Sequence, residues 1–156
     1  MSLINSKNQT NIYMKTHDIM AWYSAEELHK SSQAWLLELE FIKDEHLFFE
    51  DLMTSLTLQL IDSIGFEEDI EIIDALNMSQ KQNNSLIKDI KKHDKDLKLM
   101  VDGIDQPKEE REYKNAHRKL MTKVDEYLKE YKSLKTQLFT ILKKVFKKEK
   151  QKRLMT

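Results

Sequence analysis

This sequence predicts an all-α fold: three long helices in an antiparallel up-down-up bundle with coiled-coil-like packing. Three observations carry that expectation. Gly65, Gly103 and Pro107 are the only glycines and the only proline in 156 residues. The stretches between them repeat apolar residues every three or four positions, the period of one helix face. Charged residues make up 34% of the chain, as in long helices that expose much of their surface.

The elements follow in order. Residues 1–17 are polar and lack the apolar run of a signal peptide, so they read as a short disordered leader, with Met14 as an alternative start. The bundle proper spans 18–143. Its first helix covers about 24–64, opened by Ser24-Ala25-Glu26-Glu27 at capping-box spacing, with Asp18 an earlier candidate cap. Its apolar seam runs Leu28, Ser32, Trp35, Leu39, Ile42, His46, Phe49, Met53, Leu56, Leu60. The second helix, about 67–103, opens on Glu67, Glu68 and Asp69, whose carboxylates suit the positive end of a helix dipole. Its seam is Ile72, Leu76, Ser79, Asn83, Leu86, Ile90, His93, Leu97, Met100.

Each of these helices ends on a glycine followed by an apolar residue, Gly65-Phe66 and Gly103-Ile104. That pairing marks a left-handed C-cap with a contact back onto the last turn. Pro107 fits the first turn of the third helix, about 107–152, where a missing N–H costs nothing. Its seam runs from Tyr113, His117 and Leu120 through Val124, Tyr127, Tyr131 and Leu134 to Leu138, Ile141 and Val145. Short turns make sequential helices antiparallel neighbours. Centring the turns near 65 and 105 puts His93 and His117 in one layer near Leu39, and His46 beside Asn83, Asn84, Val124 and Tyr127. It also leaves 144–156 as a basic helical overhang.

Composition narrows the functional classes. There is no cysteine, so disulfides and thiolate metal sites are excluded, and a cytoplasmic location is expected. No apolar run approaches the ~20 residues of a membrane span. Net charge is −1, yet from Asp18 to Leu76 there are 15 acidic residues against 2 basic, and from Asn77 to Thr156 22 basic against 12 acidic. An acidic first helix is therefore expected beside a basic third one. The lysine-, asparagine- and isoleucine-rich composition points to an AT-rich bacterial source. No glycine-rich phosphate loop, nucleophile–base pair or glycosidase-like carboxylate pair can be assigned, so a non-enzyme without cofactor or small-molecule substrate is expected.

Four constellations remain. His93 and His117, with Asp89 and Glu38 nearby, are candidate metal ligands, set against the usual fate of seam histidines as hydrogen-bonded core. A polar belt, Asn77, Ser79, Gln80, Gln82, Asn83, Asn84 and Ser85, reads as a register device or the lining of a small pocket. Leu37, Phe41, Phe48 and Leu52 form a second apolar stripe on the first helix, away from its seam. Such a stripe either touches a second neighbour or marks association. Last comes the basic tail: Lys143, Lys144, Lys147, Lys148, Lys150, Lys152 and Arg153. The expectation is a helical interaction module that binds a protein partner or itself through the stripe. The alternative is a peripheral binder of nucleic acid or anionic membrane through the tail, and the third a metal-binding bundle.

Overall fold

The computed structural model describes residues 24–101 and 107–155. The leader with Met14, the candidate cap Asp18 and the turn at Gly103-Ile104 lie outside the described residues. Within them the chain is helical except at Ser24, Leu56 and Gly65. The helices are α1 (Ala25–Ser55), α2 (Thr57–Ile64), α3 (Phe66–Val101) and α4 (Pro107–Met155). None is long and apolar enough to cross a membrane.

The capping box forms at Ser24. Its hydroxyl accepts from the Glu27 N–H at 3.2 Å, and the Glu27 carboxylate accepts from the Ser24 N–H at 2.9 Å. Two expected features differ. The first helix is two helices, bent at Leu56, where φ is −105° and ψ 18°. Around the bend, hydroxyls compete for backbone carbonyls: Ser55 donates to Asp51 O, and the Thr57 hydroxyl lies 2.8 Å from Thr54 O and 3.2 Å from Met53 O. The same bonds from Thr122, Thr136 and Thr140 leave α4 unbroken, so back-bonding accompanies the break at Leu56 without accounting for it. The hydrogen-bond ladder continues on both sides, from Leu56 N to Leu52 O and from Leu60 N to Leu56 O, so the chain bends without reversing.

The second difference is the turn at Gly65. It has φ 88° and ψ 159°, an extended conformation open to glycine almost alone, rather than the compact left-handed cap. Gly65 donates to Ile61 O and accepts from Asp69 N–H, so one residue closes α2 and opens α3. Phe66 is consequently the first residue of α3 and stays 62% exposed; it does not fold back onto α2.

Every residue of the three expected seams is buried or half-buried. They meet in three apolar clusters. One near Gly65 gathers Phe49, Met53, Leu60, Leu76, Leu138 and Val145, among others. A middle one holds Leu39, Ile42, Ile90, Val124 and Tyr127. The third, Leu28, Leu97 and Tyr113, lies at the far end. Between them sit the buried polar residues His46, Ser79 and Asn83, and further on His93 and His117.

Asn83 donates to Leu39 O at 2.9 Å and His46 bonds Ser79 at 2.9 Å. Leu39 and His46 of α1 thus pair with α3 residues more than one turn nearer Gly65 than an unbroken first helix places them, while Glu50 with Gln80 and Glu40 with Lys91 keep the expected register. The same displacement moves α4 along α1. His117 meets Ser31 and Trp35 rather than Leu39. The expected overhang from Lys144 is accordingly replaced by packing: Val145 is fully buried, and Lys148 and Lys152 both reach Asp62 of α2.

No heavy atom lies within 4 Å of a Cβ placed on Gly65, so replacement there acts on the backbone alone. Gly65→Ala is expected to lower stability by about 1–3 kcal/mol through strain at positive φ, read as a lower urea midpoint with an unchanged slope. An unchanged midpoint would show that the turn relaxes to another conformation at no cost.

Candidate functional site

The off-seam stripe of α1 is only partly absorbed by the core. Leu37, Phe41 and Phe48 are 77%, 64% and 58% exposed; Leu52 is half-buried against the cluster near Gly65. At 100° per residue, Leu37, Phe41 and Phe48 share a face well over a right angle from the buried seam. Neither α3 nor α4 covers it.

The face continues onto α4. The buried ring of Phe49 meets Phe48 edge-on at 5.7 Å and Phe139 edge-on at 5.5 Å, so one core ring joins two surface rings on different helices. Phe139 is 45% and Phe146 51% exposed. The seven-residue step between them keeps both on one face of α4. Neither was expected beside the α1 stripe. Their spacing was visible, but placing them beside the α1 stripe needed the α1–α4 register, which differs from the one the turn centres gave.

Charges along this face differ by helix. Asp44 and Asp51 stand exposed beside the α1 stripe, whereas Lys132 and Lys143 stand exposed beside Phe139 on α4. Glu45 and Lys135 close the seam between the helices at 2.8 Å. The rest of the basic tail is divided. Lys148 lies 2.9 Å and Lys152 3.3 Å from Asp62, and these two ammoniums hold its carboxyl below the usual range. Lys143, Lys144, Lys147, Lys150 and Arg153 are exposed.

The histidine layer is real, and it is built as core. His93 Nε2 lies 2.9 Å from His117 Nδ1, and His117 Nε2 lies 3.3 Å from the Ser31 hydroxyl. His93 stacks on Tyr113 with centroids 4.1 Å apart and His117 on Trp35 at 4.7 Å. One imidazole must donate and the other accept, so the two facing nitrogens serve this bond. Asp89 and Glu38 are exposed and do not join the pair. No group of three or more His, Asp or Glu placed to hold a metal occurs among the described residues. The buried carboxylate nearby is Asp94, one position past His93, which pairs with His29 at 2.7 Å and accepts from Gln33 at 3.1 Å. A charged residue beside an apolar seam gives no sequence signal of burial, so periodicity missed it.

The polar belt splits in two. Ser79 and Asn83 are buried; Asn77, Gln82, Asn84 and Ser85 are exposed. Ser79 Oγ lies 3.1 Å from the Tyr127 hydroxyl, which donates to Ser79 O at 3.1 Å. Burial pushes the Tyr127 phenol up to about 12, only partly offset by the bond to Ser79. A surface depression of about 330 Å³ beside the belt is lined by Lys43, His46, Asn77, Gln80, Lys81 and Asn84, among others. Gln80 donates across its rim to Glu50 at 3.0 Å.

Comparison with protein families, curated proteins and solved structures finds no match.

Burial lowers the pKa of His46 and His93, and burial with the neighbouring His93 charge lowers His117 to about 4. Each folded value lies below the ordinary 6.5, so the unfolded chain takes up protons first. Stability is then complete above pH 6.5 and declines as pH falls toward 4. Urea midpoints are expected to drop between pH 7.5 and pH 5, with a shallower drop in His117→Gln. A pH-independent midpoint would contradict burial of neutral histidines.

Proposed function

We propose that this chain is a non-catalytic helical interaction module that self-associates through the apolar face of α1 and its extension on α4. Its architecture is read as an antiparallel up-down-up three-helix bundle, with α1 and α2 forming one bent rod and coiled-coil-like packing between the rods. The pairing of Leu28 with Leu97 and Tyr113 at one end, and of Phe49 with Leu76 and Leu138 at the other, supports that reading.

One observation carries the functional proposal: Leu37, Phe41 and Phe48 remain largely exposed on a helix whose seam is otherwise closed. Single exposed apolar residues are ordinary, whereas a contiguous strip marks association. Magnitudes decide how much of the face is needed. At roughly 1.5–3 kcal/mol for each fully buried large side chain, covering the two-thirds or so of these three that is exposed, on two copies, yields about 6–12 kcal/mol gross. Association costs about 4–15 kcal/mol, so the α1 stripe alone is marginal. Phe139 and Phe146 add roughly half as much again, which favours an interface spanning both helices. The basic tail supports binding of a polyanion less well, because Asp62 engages two of its lysines and acidic α1 runs beside α4.

Phe41→Glu combined with Phe48→Glu is expected to convert a dimer into a helical monomer, since both positions face solvent within one copy. Light scattering on the purified chain reads the change in mass. A parent chain that stays strictly monomeric at hundreds of micromolar refutes self-association.

A further inference from the structure

The surface has a handedness that restricts how two copies can meet. Its apolar residues lie in two parallel rows, one per helix, and the rows carry opposite charge. The α1 row of Phe41 and Phe48 is flanked by Asp44 and Asp51; the α4 row of Phe139 and Phe146 is flanked by Lys132 and Lys143. Two copies meeting face to face with two-fold symmetry have two simple choices. With the axis across the rods, α1 opposes its own copy and α4 its own copy. With the axis along the rods, α1 of each copy opposes α4 of the other, residues at one height facing each other.

Pairs within the chain show which residues share a height. Glu45 is level with Lys135 and Asp62 with Lys148. By the same offset Asp44 is level with Lys132, Phe48 approaches Phe139, and exposed Leu58 is level with Phe146. The across-rod arrangement would set Asp44 and Asp51 against carboxylates and Lys132 and Lys143 against ammoniums. The along-rod arrangement opposes Asp44 to Lys132, brings Phe48 toward Phe139 and sets Leu58 against Phe146. Charge complementarity of this kind fixes register and orientation more than affinity.

The geometry points to a second copy of this chain as the occupant of the face, docked with its two-fold axis along the helices so that α1 packs on α4 of the partner. This rests on the self-association proposed above and adds the orientation, with an Asp44–Lys132 contact made twice across the interface. The contact is accessible to test because neither side chain is buried within one copy.

The experiment compares dimer dissociation constants, by sedimentation equilibrium at low and at high salt, for the parent, Asp44→Lys, Lys132→Asp and the double swap. Each single change is expected to weaken the dimer about tenfold, two symmetric contacts being lost. The swap should restore it, and high salt should shrink all differences. Tightening by Asp44→Lys would overturn the along-rod orientation in favour of α1 against α1, leaving self-association intact. No response to any of the three changes would also overturn the orientation. A parent that never dimerises overturns the orientation and the functional reading together. Circular dichroism at matched concentration confirms that all four chains are equally helical.

Discussion

The buried polar bonds between helices fix this structure more than any apolar contact does. A core of leucine and isoleucine at helical spacing is nearly as well satisfied after one helix slides a turn past another. A directional bond is not. Asn83 finds the Leu39 carbonyl, His46 finds Ser79, Ser79 finds Tyr127, and His93 finds His117 in one register only. The bonds join α1 to α3, α3 to α4, and α4 through Ser31 back to α1. Each offsets part of the cost of removing these groups from water, and a slip would leave them buried without partners.

That register has consequences at the surface. It displaces α4 along α1, so the last turns of α4 lie against α2 instead of projecting beyond it. Asp62 then sits between Lys148 and Lys152. It also brings Phe139 against Phe49 beside Phe48, joining two apolar rows that neither helix would present alone. The surface proposed for association is therefore a product of core polar bonding as much as of the exposed residues.

Much of the fold was legible in the sequence because the relevant signals are local. Seams at three- and four-residue steps, Ser24 with Glu27, and Pro107 at the start of α4 each depend on neighbours a turn or less away. The His93–His117 pairing was also legible, since it spans one turn and needs only its centre. What was hidden depends on longer paths. Nothing in the α1 pattern marks Leu56 as a bend, because the apolar period runs through Leu56 to Leu60 unchanged. Across Gly65, Glu50 with Gln80 and Glu40 with Lys91 keep the inferred register, whereas Leu39 with Asn83 and His46 with Ser79 depart from it. Phe139, Phe146 and Asp94 gained meaning only once that shift was known, while the exposed trio Leu37, Phe41 and Phe48 was readable from one helix alone.

The most direct measurement of the claim that polar layers set the register is a spin-label distance between Gln33 on α1 and Thr122 on α4, each changed to cysteine in a chain that has none. It is made in the parent and in a variant carrying His46→Leu, Ser79→Leu and Asn83→Leu. One narrow distance is expected in the parent, and in the variant a broad or multiple distribution with helicity retained and thermal stability equal or higher. A variant that keeps the parent's single narrow distance would show that apolar packing and the turns already specify the register, and would contradict the account.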